Sequence, residues 1–356
     1  MEKSFNPLSR LKEYRSLSGE DKKRQRREFL IDNSLNIFLI CAIIGIEIAN
    51  PKFLSLPSVV NIISLSAANL PIALGIAGCI ILTGTDLSAG RIVGLSACVS
   101  ASLLQASTYA GKMFPSLAAL PLWIVFLIAI AIGGVIGLVN GFCTAKFHLH
   151  PFIVTLATQL VTYGILLMYL MNGDNNGQSL SGLDTKFTEF ITGSLFRIGD
   201  VSVPNYVLYS LIVTAVIWVI WNKTSFGKNM FAVGSNEEAA AVSGVNVTAT
   251  IILVFMLAGM MYGVTGFIEA ARIGSNSAAT GLNYELDAIA ACVIGGVSFV
   301  GGIGKVGGVI TGVVLLRIIF VGLTFLNIDS NMQYVIKGLI ILIACAVDMR
   351  KYLVRK

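Results

Sequence analysis

Long apolar stretches recur along the chain, separated by short polar intervals. Ten of them, at about 31–50, 58–83, 88–107, 118–143, 151–171, 205–221, 248–269, 284–300, 306–327 and 332–348, can cross or nearly cross ~30 Å of hydrocarbon. The predicted fold class is an all-α membrane protein, a polytopic helical bundle of about ten transmembrane helices. Two runs are irregular. The run 284–300 is short and opens with charge, and 58–83 is long enough to be a broken or re-entrant helix.

The polar intervals assign sides. Residues 1–29 hold nine Lys or Arg against five Asp or Glu, including Lys22-Lys23-Arg24-Gln25-Arg26-Arg27. By the positive-inside rule, 1–30 is a basic cytoplasmic segment. No cleavable signal peptide is expected, because this stretch has no apolar core. A transmembrane domain over 31–348 and a basic cytoplasmic tail over 349–356 follow. An even number of spans keeps both the N- and C-termini cytoplasmic and leaves 51–57, 108–117, 172–204, 270–283 and 328–331 outside. Those intervals carry Lys52, Lys112, Lys186, Arg197 and Arg272; the remaining cations, Arg317 and Lys337 apart, fall in segments assigned inside, if Arg91 at the start of its span is included. Five spans precede 172–204 and five follow it, which permits two halves of opposite orientation. The periplasmic loop 172–204 contains an amphipathic patch of Phe187, Phe190, Ile191, Leu195 and Phe196. It reads either as a membrane-surface helix on a solvated loop or as a landing site for an external binding protein.

The largest inside interval, 222–247, breaks the apolar pattern most clearly. Ser235-Asn236-Glu237-Glu238 is a capping-box pattern, with Ser235 as N-cap and Glu238 three residues on. Ala239, Ala240, Ala241, Val242 and Ser243 follow, and Gly244 is placed to end the helix. About two turns of capped helix made of small side chains invite close approach by another surface. The expectation is a docking helix for a cytosolic protein.

Composition narrows the chemistry. Only 12% of residues are charged and 55% are hydrophobic, against about 25% charged in a soluble domain; mean hydropathy is +0.82. The 36 Gly against 8 Pro suit close helix packing in lipid. The net charge of +6 sits mostly at the chain ends and does not argue for nucleic acid. The six Cys lie in apolar runs without paired metal-ligand spacing, and His148 and His150 are too few for a metal cage. No catalytic constellation appears. The Gly-rich stretch 295–305 fails as a phosphate loop, because Val306 follows Lys305 and Phe299 stands where the earlier Gly is required. Energy for any pumping would come from a partner or an ion gradient.

Charges within spans need accounts. Asp86 and Arg91 either close a turn as a local ion pair or form a gate or pathway element. Glu285 and Asp287 open an apolar run, where the helix dipole favours carboxylates. Arg317 lies mid-span, at a cost of about 2.5–3.5 kcal/mol unless it is partnered, either in an ion pair inside the bundle or in a pathway. Lys337 is placed to snorkel.

Three blocks, Gly84-Thr-Asp-Leu-Ser-Ala-Gly90, Gly234-Ser-Asn-Glu-Glu-Ala-Ala-Ala-Val-Ser-Gly244 and Glu285-Leu-Asp-Ala-Ile-Ala-Ala-Cys-Val-Ile-Gly-Gly296, together resemble the permease subunits of bacterial sugar ABC importers. The resemblance runs end to end and lies in the ribose/galactoside branch, with Thr85–Arg91 and Tyr284–Cys292 most similar to its galactose/methyl-galactoside members. It implies a homodimer in the inner membrane that takes a monosaccharide from a periplasmic galactose-binding protein. It also implies an ABC ATPase subunit that binds ATP and Mg, so that this chain carries no cofactor and no catalytic residues. The importers' docking signature is Glu-Ala-Ala, three residues, then Gly, matched by Glu238-Ala239-Ala240 and Gly244. Ser235, Asn236, Glu237, Glu238, Ala239, Ala240, Ser243 and Gly244 are thus the candidate ATPase-coupling helix. Gly84, Asp86, Leu87, Ser88, Gly90, Glu285, Asp287, Gly295 and Gly296 are the candidate gate or pathway motif; Arg317 matches no family motif. The competing readings are an ion-coupled secondary sugar transporter, an ABC permease for another monosaccharide such as ribose, and a membrane scaffold or channel.

Overall fold

The computed structural model describes residues 34–117, 120–172 and 175–353; the segment 1–30 and the end of the 349–356 tail lie outside them. The chain runs α1 (Ser34–Ala49), α2 (Leu56–Ile81), α3 (Ala89–Leu103), α4 (Leu122–Phe147), α5 (Pro151–Leu170), α6 (Thr185–Thr192), β1 (Ser194–Ile198), β2 (Val201–Pro204), α7 (Tyr206–Lys223), α8 (Ser225–Ser235), α9 (Glu237–Val242), α10 (Val247–Ile273), α11 (Tyr284–Ile294), α12 (Val306–Phe325) and α13 (Ser330–Leu353). A helix overlies each of the ten apolar runs. Among the described residues six, α2, α4, α5, α7, α10 and α12, are long and apolar enough to cross a membrane.

The two irregular runs resolve differently. The run 58–83 is not broken: α2 is a continuous 26-residue helix although Pro71 sits inside it. Proline deprives one helical carbonyl of its partner, and here the position is surrounded by protein rather than lipid, where such a defect is tolerated. The run 284–300 contains only the 11 residues of α11, which rise about 16 Å, half the hydrocarbon thickness. Residues 276–283 make up the remaining depth. Cys98 Sγ approaches Ser277 O at 3.6 Å, a Cβ on Gly94 would strike Thr280 O, and one on Gly90 would strike Gly281 O. The segment therefore descends along α3 from its C-terminal to its N-terminal end before α11 begins.

Burial ranks the helices. In their most apolar windows 78% of residues are buried in α2 and 67% in α10, against 28% in α4 and in α5. α2 and α10 form the centre, and α4, α5 and α7 turn side chains such as Leu138, Leu160 and Ile212 outward. The central helices are the second and seventh spans, and the two shortest, α3 and α11, are the third and eighth. α4 and α10 cross with backbones nearly touching: a Cβ added at Gly133, Gly137, Gly259 or Gly263 would strike a backbone carbonyl of the other helix.

Loop contacts reproduce the sorting into two ends. At one end Gly302 N donates to Ile81 O at 2.9 Å, Gly84 abuts Pro151, and Gly234 abuts Ile81. At the other, Asn50 Nδ2 donates to Phe325 O at 3.1 Å, and isolated bridges join Gln105 to Leu183 and Leu180 to Asn276. Part of the amphipathic patch of 172–204, Phe187 and Ile191, packs into the bundle. Asp184 caps α6 by accepting from Lys186 N at 2.8 Å, and buried Phe187 sits 5.0 Å from Phe267 of α10. Leu195 and Phe196 leave the patch altogether: they stand exposed on β1, which pairs antiparallel with β2.

Candidate functional site: an exposed helix braced against two mid-membrane loops

The polar interval 222–247 forms two helices rather than one. Thr224 caps α8, its side chain accepting from Gly227 N at 3.2 Å. Ser235 is the last residue of α8 and not the cap of the next helix: its hydroxyl donates to Phe231 O at 2.8 Å. The cap of α9 is Asn236, with extended backbone (φ −162°, ψ 110°) and Oδ1 accepting from Ala239 N at 2.8 Å. A cap residue needs non-helical backbone, which Ser235, still inside α8, cannot supply. Glu237 and Glu238 occupy the first turn, where the dipole favours carboxylates. Ser243 Oγ donates to Ala239 O at 2.8 Å. Gly244, at φ +85°, turns the chain so that Val245 N reaches Ala240 O at 3.1 Å, as a helix-ending glycine does. Replacing Asn236 by Ala is expected to destabilise α9 by about 1 kcal/mol, seen as faster hydrogen exchange at Ala239; Asn236→Ser should preserve protection.

α9 is exposed except at Ala240, and Val242 is 91% exposed. Its base is not loose. Gly234 packs on Ile81 O, Gly301 (φ +90°) packs on Gly234 O, and Gly302 (φ +66°) packs on Ser235. Side chains at these glycines would separate three strands of backbone. The Gly-rich stretch that fails as a phosphate loop is thus a packing turn. It starts from a helix end in which Val297 N reaches Cys292 O at 2.9 Å with Gly296 at φ +81°, and Gly295 and Gly308 bring α11 and α12 together.

The two segments that touch this base lead to mid-membrane. From Ile81 the chain passes Gly84, whose N–H donates to Cys79 O at 3.0 Å, into the Asp86 loop. Asp86 Oδ1 accepts from Ser88 N at 2.9 Å and Ser88 Oγ at 2.6 Å. Asn140 Nδ2 of α4 donates to Ser88 Oγ at 2.9 Å, and Thr155 Oγ1 of α5 accepts from Leu87 N at 3.1 Å and donates to Thr85 O at 3.2 Å. Asp86, Ser88, Asn140 and Thr155 are all fully buried. The expected Asp86–Arg91 pair does not form. Asp86 is already engaged by Ser88, while Arg91 Nη1 donates to Ala278 O at 3.0 Å and its guanidinium lies 4.1 Å from the centre of the Tyr163 ring.

From Gly301 the second segment leads back through Gly296 and Gly295 along α11 to Asp287 and Glu285. The Glu285 carboxylate lies against Gly90 in the first turn of α3, so the first and third sequence blocks meet where the two short helices begin. Asp287 is held by Lys337 Nζ at 2.5 Å and Arg317 Nη2 at 3.7 Å. Arg317 is therefore in an ion pair inside the bundle, and Lys337 turns inward instead of snorkelling.

Sequence reasoning missed Asn140 and Thr155, which lock the Asp86 loop. Asn140 was the findable one, a lone amide in the apolar run 118–143. It also missed the fork of Arg272 on Glu269 at 2.7 and 2.6 Å, completed by Tyr284 Oη donating to Glu269 at 3.0 Å; Glu269 and Arg272 stand one helical turn apart, a spacing that favours such a pair.

The model of a family described as branched-chain amino acid transport system / permease component matches residues 58–345. The chain is 46% identical to the galactose/methyl galactoside import permease protein MglC of Escherichia coli (strain K12), over 94% of this chain and 98% of that one. It is 38% identical to the protein of that name from Treponema pallidum, over 92% of this chain and 64% of that one. It is 33% identical to the ribose import permease protein RbsC of E. coli (strain K12), over 91% and 96%. No solved structure matches. A multi-pass helical membrane bundle, with this family match over most of its length and full-length similarity to sugar import permeases, belongs to the family of transport-system permease components.

Proposed function

We propose that this chain is the membrane-spanning subunit of an ABC importer for galactose or methyl galactoside, driven by ATP hydrolysis in a separate subunit. The observation that carries the reading is α9. It is an exposed, capped helix of small residues whose base touches both the segment leading to Asp86 and the segment leading to Asp287. A push on α9 would be transmitted to both mid-membrane loops at once. Its side is cytosolic in this reading, and Mg-ATP belongs to the partner. A second copy of the chain and a periplasmic galactose-binding protein complete the assembly. Gly84, Asp86, Leu87, Ser88 and Gly90 act with Glu285, Asp287, Gly295 and Gly296 as the gate that the push reorients. The choice of galactose over ribose rests on the 46% against 33% identity to the two kinds of relative.

Reconstitution tests this reading. Galactose uptake into vesicles should require the chain, the ATPase subunit, loaded binding protein and ATP together, and should survive collapse of the ion gradients. Uptake by the chain alone, or uptake abolished by the collapse with ATP maintained, would establish an ion-coupled transporter instead.

A further inference from the structure

Glu269 is balanced by the fork of Arg272, whereas Asp86 accepts only from neutral Ser88, through Oδ1. Asp287 faces both Lys337 and Arg317, so this cluster carries one surplus positive charge. The N-terminus of α11, where Asp287 sits, adds partial positive charge. The depth is unfavourable. Arg317 lies eleven residues beyond Val306, about 16 Å along α12, and hence near mid-span. A surplus charge there demands water or a further polar partner. Asp287 and Arg317 line a water-sized cleft with Asn69 of α2, and Lys337, paired to Asp287, borders the rings of Phe320 and Tyr334, 5.1 and 5.3 Å from their centres. Two cations, a carboxylate, an amide and flanking aromatic faces are what a neutral polyol needs: donors and an acceptor for its hydroxyls, and rings for its C–H faces.

We infer that Arg317, Lys337, Asp287 and Asn69 form a water-accessible sugar-contact station in the translocation path. The inference rests on the permease reading above. A purely structural cluster predicts the opposite behaviour of single variants. Lys337→Met or Arg317→Met leaves one neutral ion pair, which a structural role tolerates or prefers. The sugar-contact role predicts that both variants reach the membrane at wild-type level yet lose about ten-fold or more of ATP-driven galactose uptake, the scale of one charged hydrogen bond. Accessibility gives a second readout. Asn69→Cys should react with a membrane-impermeant methanethiosulfonate, faster with the anionic sulfonatoethyl than with the cationic trimethylammonium reagent, and galactose should slow the reaction; the wild-type chain, with its own six Cys, is the control. Uptake within two-fold of wild type in both Met variants, or no reaction at position 69, would overturn the inference. A wild-type chain that imports no galactose in the complete system would instead overturn the permease reading.

Discussion

Tryptophan at position 241 is expected to abolish ATP-driven uptake while leaving the chain folded. Ala241 is exposed on α9, so its replacement meets nothing within this chain. A surface that must seat α9 closely, however, would be held off by the indole. Gly244→Trp is a less clean probe of the same idea. Position 244 has open space around it but a φ of +85°, so any side chain there also strains the helix end, by about 1 kcal/mol or more. Val242→Asp gives a companion result. A side chain left 91% exposed contributes little to the isolated chain, so its loss should lower partner affinity and not thermal stability. Melting temperatures within about 2 °C of wild type, together with uptake reduced at least ten-fold, are the expected pair of readings, because surface changes away from special features stay within about ±0.5 kcal/mol.

The second large effect lies in the bundle. Gly259→Leu should prevent a stable fold, with little protein surviving detergent extraction and the remainder aggregating. Its Cβ would collide with Gly133 O across the α4–α10 crossing, and Gly133 and Gly137 offer only backbone there. Flexible side chains can move aside, but two packed backbones cannot. Overpacking usually costs about 1–3 kcal/mol, and this case belongs at or above the upper end. Gly164→Leu is the control. Position 164 on α5 has open space around it, so the same added bulk should be tolerated.

Much of this architecture was legible because lipid imposes simple rules. Every predicted apolar run carries a helix, and loops sorted to one side by charge meet at shared ends, at Ile81–Gly302 and at Asn50–Phe325, although 276–283 of the loop 270–283 runs into the bundle along α3. What failed was local and chemical. The capping box at Ser235 is a valid pattern, yet the preceding residues continue as a helix through Gly234 and Ser235 and hand the cap to Asn236. The Asp86–Arg91 pair looked natural by spacing, but spacing cannot see that Ala278 O and the Tyr163 ring arrive from elsewhere. Long-range partners decided Arg317 too: its carboxylate, Asp287, lies in a different span. The three sequence blocks were recognisable separately. Their physical junctions, Gly234 on Ile81 and Gly90 on Glu285, come only from the fold.

The central claim is that α9 seats an ATP-hydrolysing subunit and passes its motion to the loops beneath. Cross-linking tests it most directly. A Val242→Cys chain, assembled with the ATPase subunit and loaded binding protein in vesicles, should form a specific cross-link to the ATPase that the wild-type chain does not form, with a yield that changes through the ATP cycle and with uptake stopped once the link is made. Undiminished ATP-driven uptake with position 242 freely modified by a bulky thiol reagent, and no cross-link to the ATPase at any stage, would contradict it.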